Sequence, residues 1–195
     1  DRVTLEAGNT EDVADMIAAA ASVDVYRIEA AEPYPEDYEE TVARNVREEE
    51  SDARPAIAGA LPDVGQYDTI LLGSPVWNVQ TPMIMRTFVE SVDVAGKTVH
   101  PFVTYAVSGI GRVEDDYRRL CPDSTLGESL AVQGEEATQA GPDVEAWLER
   151  IGLGRPEPVT ITPERNEAMT AWTDDELAAI DNATELLIST RRPDG

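Results

Sequence analysis

Residues 73–82 read GSPVWNVQTP and follow directly on the apolar run Thr69–Leu72. A turn at the end of a strand calls for the glycine, but no turn calls for a tryptophan. Two further stretches have the same loop-like make-up: Glu6-Ala-Gly-Asn-Thr10 and Thr104-Tyr-Ala-Val-Ser-Gly-Ile-Gly111. Together they are candidates for loops that hold a ligand.

The side chains that usually break bonds are scarce. His100 is the only histidine and falls within a predicted strand, where a packed or edge residue is the simpler reading. A single histidine excludes multi-histidine metal sites and His-dependent triads. Cys121 is the only cysteine, which excludes an internal disulfide and any multi-cysteine zinc or iron–sulfur site. Beside Pro122 it reads as a small hydrophobe. Asp115, Asp116 and Glu48–Glu50 read as solvated helix faces. No metal site is expected. A receiver-type phosphorylation site needs a lysine late in the sheet, whereas Lys97 stands at the start of a predicted strand. Neither GxxxxGK[ST] nor GxGxxG occurs, so triphosphate and dinucleotide fingerprints are absent.

The loops need elements to carry them. Val13, Met16, Ile17 and Ala20 form one stripe over Glu11–Ala21, predicting a helix capped by Asn9 or Thr10. Val23–Ile28 alternates as a strand does. Pro35–Glu50 is a polar, acidic helix candidate. Tyr67–Gly73 reads as a short strand buried on both faces. Met83–Val94 is helical, with Ile84, Phe88 and Val92 at i, i+4 and i+8. Thr98–Ala106 is a strand, Val113–Leu120 a short helix, and Leu126–Val132 a strand. A last helix starts at Pro142 and stops at Gly152. Strands alternating with helices predict a parallel sheet with right-handed crossovers. In such sheets ligands bind beyond the carboxyl ends of the strands, where the three loops fall.

This order of pieces resembles the flavodoxin-like proteins, in the flavodoxin 4 branch. The matching pieces are GNTEDVADMIA (8–18), EPYPEDYEET (32–41), ARPAI (53–57), LPDVGQYDTILLGSPVW (61–77), TPMIMRTFVE (81–90), SGIGR (108–112) and PDVEAWLERIGL (142–153). The resemblance implies an α/β/α three-layer sandwich with a parallel sheet of order 2-1-3-4-5. It also implies flavin mononucleotide (FMN) as cofactor, held by three loops. Gly8, Asn9 and Thr10 match the end of a phosphate loop, which receives an anion on backbone N–H groups at a helix start. Ser74, Pro75, Val76, Trp77 and Asn78 match the second loop, where Trp77 offers a flat wall to the flavin ring. Thr104, Tyr105, Ser108 and Gly109 match the third. Relatives often carry paired tryptophans and a glycine in the second loop, and a histidine in the third. Here Asn78-Val79-Gln80 and Tyr105-Ala106-Val107 stand there.

The first strand of that order precedes Gly8, where only Asp1–Ala7 is available. The strand is therefore expected to be short or missing from this sequence. At the other end, residues 1–154 form the expected flavin domain and residues 155–195 an extension. Pro156, Pro158 and Pro163 suggest a linker. Thr173-Asp-Asp-Glu176 reads as a capping box, and Leu177, Ile180, Leu187 and Ile188 give the following helix an apolar stripe. The segment from Ala171 onward resembles the opening of DUF2255, a small domain family likened to flavin-binding split barrels.

Charge narrows the partners. Acidic residues number 39 against 15 basic, a net charge of −24. Such a field repels nucleic acid and anionic lipid. It fits a protein adapted to high salt, although a GC-rich genome is a competing source of acidity. The absence of a long apolar run or secretory signal leads to the expectation of a soluble, cytoplasmic protein. The functional expectation is an FMN-binding redox protein. It would pass electrons to a partner, or reduce a small acceptor such as a quinone at the expense of NAD(P)H. The alternative is a flavodoxin-like scaffold without flavin, acting as an interaction or accessory module, with a homodimer as one candidate arrangement.

Overall fold

The computed structural model describes residues 8–35 and 37–154 of the 195-residue chain. The first helix, α1 (Asn9–Ala20), buries Val13 and Ile17, which lie one turn apart on a single stripe. Its N-cap is Gly8 in an extended conformation. No side chain takes up the first amides, and Asn9 and Thr10 are already helical rather than capping. Helix α2 (Tyr38–Glu50) is capped by Asp37, whose Oδ1 accepts from Glu40 N–H at 3.0 Å.

Strand β1 (Thr69–Pro75) leads into α3 (Met83–Ser91), which returns the chain to β2 (Thr98–Tyr105). The two strands pair parallel along their length, from Thr69 opposite Thr98 to Pro75 opposite Thr104. Helix α4 (Val113–Leu120) then leads to β3 (Thr125–Leu126) and β4 (Leu130–Gln133), both parallel to β2. A 3-10 turn over Gly134–Gln139 precedes α5 (Gly141–Arg150), with Pro142 in its first turn.

Two apolar layers sandwich the sheet. On one face Phe102, Leu130 and Val132 meet Val13 and Ile17 of α1 and Val144, Trp147 and Leu148 of α5. On the other, Leu72, Val99 and Val103 meet Ile84 and Phe88 of α3 and Val113 and Tyr117 of α4. The alternation of Phe102 and Val103 between the two cores is the period of a strand covered on both sides. The α/β class with a parallel sheet and flanking helices is thus as expected, and β1, β2 and β3/β4 occupy places three, four and five of the 2-1-3-4-5 order.

Three local expectations need correction. Val23–Ile28 forms no strand, and Val25, expected to share a buried face with Val23, is 68% exposed. In the expected order its place is beside the first strand alone. Residues 1–7, where a short first strand was expected, lie outside the described part, and the segment has no ladder partner among the described residues. Tyr26 instead stacks on Phe88, ring centroids 5.9 Å apart, and a single antiparallel bridge joins Ala30 to Ile57. The predicted strand Leu126–Val132 is broken in two. At the break Gly127 lies against the His100 ring, and Glu128 O receives His100 Nδ1 at 2.8 Å and Trp147 Nε1–H at 3.1 Å. Finally, Gly73 makes no turn. It sits inside β1, where a Cβ would come within 2.1 Å of the Phe102 ring. The extension from residue 155, including the DUF2255-like segment, lies outside the described residues.

Candidate functional site

Because the sheet is parallel, β1, β2 and β4 all end at one rim, at Pro75, Tyr105 and Gln133. The first loop meets the third there. Thr10 Oγ1 and Thr104 Oγ1 are 2.6 Å apart in a hydroxyl–hydroxyl bond, which ties the opening turn of α1 to the end of β2. Asn9 lies against Gly134, where a Cβ would come within 2.5 Å of Asn9 Nδ2 and 3.6 Å of Tyr105 O. A cleft of about 270 Å³ opens beside Tyr105 and Gln133, with Glu136 and Asp143 in its wall.

The second loop is joined to the strand ends through its backbone. Val76 N–H donates to Thr104 O at 2.8 Å. Trp77 and Gln80 close a two-residue turn with bonds of 3.1 and 3.0 Å, and Asn78 and Val79 both take positive φ, 47° and 66°. Asparagine accepts this conformation; a β-branched valine is strained in it. The turn is held from both sides. Val79 O accepts from Arg112 N–H of the third loop at 2.8 Å, and Asn78 Nδ2–H donates to Glu49 Oε2 of α2 at 2.5 Å. Gly111 permits this close approach: its φ is 60°, and a Cβ there would stand 2.4 Å from Val79 O. Further round the same loop, Gly109 also has positive φ, and Ser108 Oγ–H donates to Gly109 O at 3.2 Å.

Trp77 is half-buried at this rim. Its ring meets Tyr34 edge to face, centroids 5.0 Å apart and planes at 78°. Among the described residues its indole N–H makes no hydrogen bond. Tyr34 is fixed in turn by α2: its hydroxyl donates to Glu48 Oε2 at 2.9 Å, and Arg44 Nε–H donates to Glu48 Oε1 at 2.7 Å. Burial first, then Glu48, holds the Tyr34 phenol far above its ordinary range, so its proton stays on to donate.

The structure therefore brings Thr10 to Thr104, Asn9 to the end of β2, and Trp77 and Asn78 to the third loop by way of Val79 and Arg112. Val76 packs into the core beside α3 and α4. Ser74 behaves differently. Its hydroxyl is buried under the rim beside those of Thr81 and Tyr117, with no well-formed hydrogen bond. Burial keeps the Tyr117 phenol protonated.

Sequence reasoning missed Tyr34, Arg44 and Glu48, and misread Asp116. Asp116 is buried, not solvated: its Oδ2 accepts from Thr81 N–H at 3.1 Å, and Oδ1 faces Arg119 and, at 3.6 Å, Arg86. It pins the exit of the second loop to α4. Glu48 is likewise buried, leaving Asp115 as a solvated carboxylate of the kind expected. The spacing of Arg44 and Glu48, one helical turn apart, was a legible signal for a pair. His100 is a packed residue, and burial raises the Cys121 thiol, away from the thiolate that redox chemistry needs. Among the described residues no group of three or more His, Cys, Asp or Glu side chains could hold a metal, and no helix is long and apolar enough to cross a membrane.

Three layers with converging loops at the carboxyl ends of a parallel sheet define a doubly wound α/β protein of the flavodoxin type. The family model described as Flavodoxin, of the flavodoxin 4 branch, matches residues 4–151, and the chain belongs to this family. It is similar to a protein of Bacteroides uniformis provisionally named a flavoprotein, at 32% identity and a TM-score of 0.64, covering 72% of this chain and 90% of that one. A second such protein, from Bacteroides eggerthii, is 30% identical with a TM-score of 0.63, covering 76% of this chain and 93% of that one. A flavoprotein of Lactobacillus acidophilus in complex with FMN shares the fold at 18% identity, with a TM-score of 0.51 over 67% of this chain and 89% of that one. The comparison with curated proteins finds no match.

Proposed function

We propose that the domain spanning residues 1–154 holds FMN at this rim and serves as a redox protein. The observation that carries the reading is Trp77. It is an aromatic residue half-buried at the strand ends, braced from one side and through its backbone turn, with no hydrogen bond from its indole among the described residues.

The residues present fit a flavin nucleotide. The first turn of α1 has amides that no side chain caps, at the positive end of a helix, which suits a phosphate. Glu11 and Asp12 in that turn oppose an anion, but Arg27 pairs with Glu11 and offsets part of its charge. Trp77 supplies a flat apolar wall. The backbone of Tyr105–Gly111 supplies donors and acceptors, with Gly109 turning the chain at positive φ. FMN, when bound, supplies the one- or two-electron chemistry. The protein orients the ring and sets its electrostatic surroundings. A net charge of −24 disfavours adding negative charge to the ring, so the reduction potential is lowered, and salt relieves the effect.

Whether electrons go to a protein partner or to a small acceptor such as a quinone depends on how open the ring is. Rapid mixing with NADH and NADPH separates the two uses: an enzyme is reduced in catalytic time, a carrier is not. The primary test is titration of FMN with the protein. Saturable quenching of flavin fluorescence near one equivalent is expected. A colourless protein that leaves FMN emission unchanged would favour the accessory-scaffold reading instead.

A further inference from the structure

We propose that Tyr34, locked by Arg44 and Glu48, is a positioning residue for the Trp77 indole. The proposal rests on reading Trp77 as a wall of the flavin site. Tyr34 belongs to none of the three rim loops. It lies in the segment before α2, with Pro33 and Pro35 restricting the backbone on either side of it.

The contacts form a closed cycle. The Tyr34 hydroxyl donates to one oxygen of Glu48 at 2.9 Å, and Arg44 Nε–H donates to the other at 2.7 Å. The Arg44 guanidinium then stands over the Tyr34 ring, 4.0 Å from its centroid. Arg44 NH1 also donates to Glu32 O and Pro33 O, at 2.9 Å each, fixing the backbone that carries Tyr34. The Arg44 and Glu48 side chains are only 15% and 10% exposed, so water competes little for these bonds. The next residue of α2, Glu49, holds Asn78, the neighbour of Trp77. One end of α2 thus fixes the indole twice, through the Tyr34 ring and through the backbone of its turn.

A surface tryptophan free to change rotamer loses that freedom when a ligand stacks on it, and the loss weakens binding. Tyr34 removes the freedom in advance. A competing explanation is that the cycle merely staples the segment before α2 to that helix. The two differ in what Trp77 feels.

The test uses the full chain labelled with 5-fluorotryptophan, together with FMN affinity measured by fluorescence quenching. In ¹⁹F spectra, Tyr34→Leu should shift or broaden the resonance that Trp77→Leu abolishes, and leave the one that Trp147→Phe abolishes unmoved. Tyr34→Leu should weaken FMN binding roughly two- to tenfold, the range carried by an aromatic edge contact. Tyr34→Phe, which keeps the ring and loses the bond to Glu48, should show a smaller loss of the same kind. In a Trp77→Leu background the Tyr34→Leu loss should vanish, because Tyr34 acts through Trp77. An unmoved Trp77 resonance, or an equal loss of affinity in both backgrounds, overturns the proposal. Should the wild-type chain take up no FMN, the flavin reading fails by itself, and the ¹⁹F spectra still decide whether Tyr34 holds Trp77.

Discussion

Trp147 and Trp77 sit at opposite ends of what a tryptophan can do. Trp147 is fully buried, packs near Phe102 and His100 with centroids 6.4 and 6.2 Å away, and donates its indole N–H to Glu128 O. Every surface it has is spent on holding α5 to the sheet. Trp77 is half-buried, touches Tyr34, and makes no hydrogen bond from its N–H among the described residues. Its position is over-determined by neighbours while part of its surface stays open. The difference teaches how to separate a core residue from a binding residue of the same type: the first has its polar atom paired inside, and the second is braced without being covered.

The comparison can be broken most forcefully at its core end. Trp147→Ala should cost about 3–5 kcal/mol of stability, read by urea unfolding, because it opens a large cavity and takes one of two donors from the Glu128 carbonyl. Trp77→Ala should cost no more than about 1 kcal/mol by the same measurement. Equal losses would erase the distinction. The next effect in size belongs to Asp116, the buried carboxylate under the second loop. Asp116→Ala should cost about 1–3 kcal/mol, since Thr81 N–H loses its acceptor in a buried place and Arg119 and Arg86 lose an ion-pair partner. Stability unchanged within error would mean that loop and helix are not joined there.

A smaller effect sharpens the picture of α3. Arg54, hydrogen-bonded to Glu90, holds that carboxyl below its ordinary 4.5. The pair therefore contributes fully above that pH, and its contribution fades as pH falls toward the lowered value. Both side chains are partly exposed, 31% and 40%, so less than about 1 kcal/mol is expected to be lost as pH falls below 4.5. Arg54→Ala should remove that share of the pH dependence; an unaltered slope would refute the pairing. The smallest effect is global. Raising salt should lift the flavin reduction potential as it screens the −24 charge, and a salt-insensitive potential would count against the electrostatic account.

Much of the fold was legible because its signals are local. The stripe of Val13 and Ile17 and the two-sided apolar runs of β1 and β2 follow from short-range period alone. The strand Val23–Ile28 misled because its alternation put Val25 on a buried face, whereas Val25 is exposed and Tyr26 and Ile28 are the half-buried side chains. The split of β3 from β4 was invisible, since it depends on His100, 28 positions earlier in the chain, claiming the Glu128 carbonyl. At the rim, Trp77 stood out by type, and Thr10 and Thr104 by their places at element ends. Tyr34 did not stand out. Its role arises from a tertiary cycle with Arg44 and Glu48, and a tyrosine among prolines and acids looks like loop. Asp116 was misread for a related reason: a carboxylate in the first turn of a short charged helix resembles its exposed neighbour Asp115 until Thr81 is seen beneath it.

The most direct test of the central claim is FMN titration of three chains under one buffer: wild type, Trp77→Ala and Trp147→Phe. Affinity should fall at least roughly tenfold for Trp77→Ala, as for loss of a stacking wall, and stay within about twofold of wild type for Trp147→Phe. Equal affinity in wild type and Trp77→Ala would contradict the placement of a flavin against that indole.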